Sequence, residues 1–436
     1  MNWKNQTLID SVEPRLLKEP RGGVPDVIDT KKAFDAMVER FAQADGPVAA
    51  DAERASGFRY GQEDWLVQFK RNGAGIALFD PIALEAEGVN WEDFNDAVKG
   101  ADWIIHDSLQ DLPGFFALGM RPSSVFDTEV AARLIGNTRF GLASVTAKYL
   151  GLVLSKEHSA ADWSYRPLPR DWRNYAALDV EVLIELRARL LDELRGQGKL
   201  EWAREEFSYL LDKGGKPRVT HPEPWRRVSH ITALNHDPRG LAVVRSLWTV
   251  RDRYARELDI APTLLLSDAA MIEAGERKPH NSKQFKAIRS LNERVRMHTD
   301  SEQDKMFERY APLQRRVKPA VWRQAVLDAL ALSRDELPTT APKPMNEDVT
   351  NAPRSMKYWR VHHPERFARL QAVRQVIAQI GEDTHTPIEV LLKPQIVRNL
   401  CWKNPRPEDI RDFLKAQGAR NWQISLIAES VSRVTI

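Results

Sequence analysis

Residues 47–53 read Pro-Val-Ala-Ala-Asp-Ala-Glu, an apolar run that ends in two carboxylates. The run predicts a buried strand over 47–51, and a strand this apolar has little reason to end in two acids for solubility alone. In extended chain, positions i and i+2 project to the same face, so Asp51 and Glu53 can reach one metal pair from the strand's end. The spacing itself is cheap. The same Asp-x-Glu recurs at Asp179-Val180-Glu181, where a helix would set the two side chains about 200° apart.

The neighbouring segments predict a mixed α/β domain. Asp26-Val27-Ile28 is a short strand, Thr30 an N-cap, and 31–44 a helix with Phe34, Met37, Val38 and Phe41 on one face. Strands at 65–69 and 75–79, parted by Arg71-Asn72-Gly73, complete an antiparallel meander with 47–51. Helix and strand then alternate: helix 91–98, strand 102–106, helix 111–118, an extended piece at 124–126, helices 128–135 and 142–150, and one long helix over about 171–194. Before this domain, residues 1–24 form an irregular lead-in. The domain spans 25–212, and the Gly/Pro/basic stretch 213–224 is a linker. Two all-helical modules follow, at 225–337 and 354–436, joined by the Pro-rich segment 338–353. They share a faint repeat, since Leu241 to Arg245 precedes Pro262 to Leu266 much as Leu370 to Arg374 precedes Pro387 to Leu391, with spacings that differ by four residues.

Charge divides along the same line. Residues 1–200 hold 24 Lys+Arg against 31 Asp+Glu, a net of −7, and the other 236 hold 40 against 30, a net of +10. A basic half suits a polyanion through counterion release and steering. Two clusters stand out, Arg277, Lys278, Lys283, Lys286 and Arg289, and Arg309, Arg315, Arg316 and Lys318. They are phosphate-binding faces, solvated helix surfaces, or surfaces packed on the acidic domain. A single cysteine, Cys401, excludes a disulfide framework and a cysteine-rich zinc site within the chain. No apolar stretch is long enough to cross a bilayer, and the N-terminal residues carry no apolar signal region, so the cytoplasm is the expected compartment.

Two further acids join Asp51 and Glu53. Asp111 follows the apolar 103–105 at a helix start, where capping would explain it, although Asp107 and Ser108 compete for that role and free it. Tyr175 and Asp179 are four residues apart on one helical face, with small residues between them that allow close approach. Either could serve only as core or surface. Four carboxylates from distant segments are hard ligands suited to magnesium or manganese, which is what a two-metal phosphodiester-cleaving site requires. A tyrosine beside such a site can aim the attacking water.

These motifs carry a resemblance. Asp51-Ala52-Glu53, the His106-x4-Asp111-Leu112 helix start and Tyr175-x3-Asp179 are similar to the three exonuclease motifs of the tyrosine-bearing branch of the DEDD superfamily. The segments Phe126 to Ala132 and Ala161 to Leu168 resemble ribonuclease D, and the helical modules resemble the HRDC domains that follow the exonuclease there. The resemblance implies a ribonuclease H-like mixed sheet followed by two HRDC-like all-α modules. It further implies a cytoplasmic, monomeric 3′–5′ exoribonuclease that uses two divalent ions, Mg2+ or Mn2+. Asp51, Glu53 and Asp179 would hold one ion, Asp51 would bridge to a second supported by Asp111, and Tyr175 would orient the water. The implied substrate is RNA with a single-stranded 3′ end, such as a tRNA precursor, cut to nucleoside 5′-monophosphates. His106, Lys156 and Arg166 are candidate backbone contacts, or surface and helix-end residues paired with nearby acids. Trp163 and Phe115 are candidate base platforms, or core. A DNA exonuclease and a non-enzymatic nucleic-acid scaffold are the alternatives. A helicase is disfavoured, because no GxxxxGK[ST] loop is present.

Overall fold

The computed structural model describes residues 14–154, 158, 160–217, 221–296, 301–340 and 351–434. Lys156 lies outside them. The order of elements in the first domain is β1 (Arg15–Leu16), β2 (Val27–Ile28), α1 (Lys31–Ala42), β3 (Val48–Arg54), β4 (Asp64–Arg71), β5 (Gly75–Phe79), α2 (Pro81–Ala86), α3 (Glu92–Ala97), β6 (Asp102–Ile105), α4 (Ser108–Ala117), β7 (Ser124–Asp127), α5 (Thr128–Leu134), α6 (Leu142–Leu150), β8 (Leu152–Val153), α7 (Arg170–Glu181), α8 (Leu183–Gly196) and α9 (Leu200–Gly214). Six strands form one mixed sheet in the order β2-β5-β4-β3-β6-β7. The expected meander is its centre: β3–β4 and β4–β5 are antiparallel, while β3–β6, β6–β7 and β2–β5 are parallel.

Both faces of the sheet are covered. Phe69, Phe79 and Trp103 pack on one side with Phe34, Trp91, Phe94 and Phe115, all of them buried. On the other side Leu66 and Leu78 meet Trp163, Trp172, Ala176 and Ala177. The two alanines leave no side chain to hold α7 away from the strands, and α7 is the helix that carries Tyr175 and Asp179.

Three boundaries differ from expectation, each for a local reason. The strand begins at Val48 and runs on to Arg54, because Glu53 and Arg54 still find partners in Leu66 and Asp64 on β4. The long helix over 171–194 is two helices that meet at Val182. There the Lys70 ammonium donates to the Glu181 carbonyl at 2.6 Å, and a side chain inserted in the ladder breaks it. The helix expected over 111–118, α4, starts at Ser108, with Asp107 left-handed (φ 57°) and making no side-chain cap. Its first amide is capped from outside, since Asp127 Oδ2 accepts from Ser108 N at 2.7 Å while Oδ1 accepts from Glu129 and Val130 at the start of α5.

The C-terminal half is helical, and the faint repeat becomes plain in it. Pro238–Leu258, Pro262–Leu265 and Asp268–Arg277 are helices of 21, 4 and 10 residues, matched by Pro364–Thr384, Ile388–Leu391 and Pro394–Lys403 with the same lengths. Asp259 and His385, and likewise Lys278 and Asn404, end the longer helices in left-handed conformation. Each such pair stands 126 residues apart, so the four-residue discrepancy came from the alignment and the repeat has none.

Both modules dock on the sheet domain, at different places. The first sits beside the end of β3: Phe58 stacks on Phe307 at 4.7 Å, Tyr310 donates to Asp162 at 3.0 Å, and Arg59 pairs with Asp259. Arg309, from the second basic cluster, also spends its charge on Asp162. The second module lies on α9, where Trp422 stacks on Trp202 at 4.8 Å and donates to Glu206. Trp322 is buried in the core of the first module, Trp402 is half-buried against Trp359 in the second, and Trp422 belongs to this seam.

Candidate active site

Strand pairing sets the site. Asp51 and Glu53 face α7, opposite Gln68 and Leu66 on β4, and α7 crosses that face with Asp179 toward them. Carboxylate oxygens of Asp51, Glu53 and Asp179 lie within 4.8 Å of one another. Asp111 approaches from α4, lines the same cavity and is raised by the charge of Asp51. The four acids expected to converge do so, with Asp51 in the middle. The capping account of Asp111 is set aside, because Asp127 does that work and Asp111 is 4% exposed.

Burial makes the cluster expensive. Desolvation, followed by the neighbouring carboxylates, pushes Glu53, Asp111 and Asp179 well above the ordinary carboxylate range. Asp51 is raised to about 6, burial outweighing help from backbone and from Gln68 Nε2, which donates to its Oδ2 at 2.6 Å. Such a set cannot ionise fully without added positive charge. Hard oxygen donors with that deficit fit divalent Mg2+ or Mn2+. Tyr175 is driven above its ordinary pKa by burial and by Asp179, Glu53 and Asp51, so it stays a phenol, one helical turn from Asp179. Trp163 and His158 pack against its ring.

The acids and Tyr175 line an open cavity of about 720 Å³, which also takes in His106, Phe58 and Phe307. His106 Nδ1 meets Thr128 Oγ1 at 2.8 Å, its Nε2 has no partner, and burial lowers its pKa, so the ring is neutral. Arg166 is elsewhere. Its guanidinium is spent on Asp80 and the carbonyls of Trp163, Tyr165 and Trp65. Trp163 and Phe115 are fully buried and present no face to a base. Three participants had no signal in the residue pattern. Phe307 reaches the cavity from the first helical module, Gln68 from a neighbouring strand, and Arg54, whose alternation in a regular strand points it away, bonds Asp111 at 3.0 Å.

Residues 25–195 match a model of 3′–5′ exonuclease domains, and residues 240–299 match the HRDC domain. The C-terminal stretch, expected to be a second HRDC-like module, matches instead a 3′ to 5′ exonuclease C-terminal domain over 352–434. Ribonuclease D of Gluconacetobacter diazotrophicus is 29% identical over 288 residues, 64% of this chain and 70% of that protein. A solved protein from Bifidobacterium adolescentis is 61% identical with a TM-score of 0.91, covering 97% of this chain and all of that one. The Escherichia coli RNase D structure shares the fold at 23% identity and TM-score 0.59, covering 94% of this chain and 97% of that one. With a 3′–5′ exonuclease domain followed by an HRDC domain and an exonuclease C-terminal domain, and ribonuclease D among its relatives, the chain is a ribonuclease D-like 3′–5′ exoribonuclease.

Proposed function

We propose that the chain hydrolyses the 3′-terminal phosphodiester of RNA with two divalent ions and releases nucleoside 5′-monophosphates, as a cytoplasmic monomer acting in the 3′ processing of structured RNA such as tRNA precursors. The convergence of Asp51, Glu53 and Asp179 within 4.8 Å carries the proposal. Asp51, Glu53 and Asp179 would hold one ion, and Asp51 with Asp111 the other. Such ions supply Lewis-acid activation of water and stabilise charge on the attacking and leaving oxygens.

The chain's own residues do the rest. Tyr175 keeps its proton and offers the hydroxyl as a donor that fixes the direction of the attacking water. His106 lines the cavity, with its Nε2 buried and unpartnered. Phe58 and Phe307 wall the cavity and leave it open enough for an unpaired strand end. The basic half supplies attraction to the polyanion that the acidic domain lacks.

The substrate is tested by offering labelled RNA and matched DNA, each with single-stranded or paired 3′ ends, in Mg2+ or Mn2+, with products resolved nucleotide by nucleotide. Stepwise loss from single-stranded RNA ends is expected. Faster loss from DNA favours the DNA exonuclease, and no nucleotide release favours a scaffold.

A further inference from the structure

We propose that Asp64 and Arg54 form a brace that positions Asp111 for the second divalent ion. The inference rests on the two-ion reading above and adds residues that reading does not use.

Arg54 follows Glu53, and in a regular strand it would project to the opposite face. That face is the one α4 covers, and the guanidinium is held there on three acceptors: Asp111 Oδ1 at 3.0 Å, the Gln110 carbonyl at 2.9 Å and Asp64 Oδ1 at 3.2 Å. A register shift between Glu53 and Arg54 passes over Trp65 on β4 and sets Asp64 opposite Arg54. The planar guanidinium fork reaches two carboxylates and a carbonyl at once, a geometry that a lysine ammonium lacks.

Asp64 has no other evident purpose. It is 2% exposed, and Arg54 is its only ion-pair partner among the described residues. Its Oδ2 has no hydrogen-bond partner. That oxygen lies so close to α4 that a Cβ on Gly114 would stand 2.0 Å from it. A glycine in mid-helix is less favourable than an alanine, and a buried carboxylate costs more. Both costs are borne where they anchor Arg54, one turn or less from Asp111. With Oδ1 committed to Arg54, Asp111 has Oδ2 left for an ion. Outer partners that orient ligand carboxylates commonly change metal affinity when removed.

The test is Mn2+ titration of the full chain without RNA, by calorimetry and by electron paramagnetic resonance counting of bound ions. Wild type is compared with Arg54→Met, Arg54→Lys and Asp64→Asn, each checked for folding by circular dichroism. Arg54→Met should weaken the second ion by about 10- to 100-fold and leave the first within about twofold. Arg54→Lys should fall between, since it keeps the charge without the fork. Should Arg54→Met fail to fold, Asp64→Asn decides, with a smaller loss expected at the same ion. An unchanged second-ion affinity overturns the brace, and a tighter one makes Arg54 a competitor of the ion and overturns it too. A wild-type chain that takes up a single ion contradicts the two-ion reading itself, and the brace with it. That result appears in wild type, whereas failure of the brace alone appears only in the variants.

Discussion

Gln68 donates from Nε2 to Asp51 Oδ2 at 2.6 Å, across the strand pair in which the two residues stand opposite each other. The bond favours the charged form of the central carboxylate against the burial that raises it to about 6. Gln68→Leu removes that support, so Asp51 should hold its proton to higher pH. Because a ligand carboxylate must be deprotonated, Mn2+ affinity at neutral pH should fall about tenfold or more. Calorimetric titrations at several pH values check this, with the pH at which binding is half lost moving upward in the variant.

Tyr175→Phe keeps the ring against Trp163 and removes only the hydroxyl. If the hydroxyl aims the water, kcat should fall about 100-fold or more, with KM for RNA and the number of bound Mn2+ ions unchanged. Single-turnover hydrolysis beside ion counting separates the two effects. A loss of bound ions would instead make the tyrosine a support for Asp179.

The raised carboxylates also predict how stability follows pH. Asp51 and Asp64 stand at about 6 in the folded chain against 3.8 in model peptides. Between those values the folded state holds protons that the unfolded state gives up, so the metal-free chain loses stability as pH rises through about 4 to 6. Glu53, Asp111 and Asp179 shift in the same direction and extend the loss upward. Ions that bind the deprotonated acids offset that loss. Mg2+ should therefore raise the melting temperature more at about pH 8 than at about pH 5, and an equal rise at both would contradict the account.

The two docked modules should respond differently to substitution. Phe307 lines the cavity, so Phe307→Ala should weaken binding of single-stranded RNA by about 1–3 kcal/mol, as loss of a stacking surface does, with kcat little changed. Trp422→Ala, at the other seam, removes the stack on Trp202 and the bond to Glu206. It should cost about 3–5 kcal/mol of stability and leave hydrolysis per folded chain intact. Urea denaturation and steady-state kinetics measure the two.

Much of this was legible in the residues, and what was not has definite causes. Alternation in the 48–53 strand and the four-residue spacing from Tyr175 to Asp179 are local, so the faces they share follow from periodicity. Asp111 was ambiguous because capping is local too, and only the tertiary reach of Asp127 to Ser108 resolves it. Arg54 was invisible because its partners come from α4 and from across a bulge on β4, and neither has a signature in Glu-Arg-Ala. The broken helix at Val182 needed Lys70, 111 residues away along the chain, to take its carbonyl. Trp163 and Arg166 lie near the motifs in sequence, but one is enclosed in the core under α7 and the other is tied to Asp80.

The central claim is tested most directly by Asp51→Asn acting on RNA labelled at its 5′ end, with Mg2+ present. Wild type should shorten the RNA one nucleotide at a time from the 3′ end and release nucleoside 5′-monophosphates. Asp51→Asn should bind the same RNA with little change in affinity and release none. Continued Mg2+-dependent shortening by the variant would contradict the account, and so would 3′-phosphorylated products from wild type.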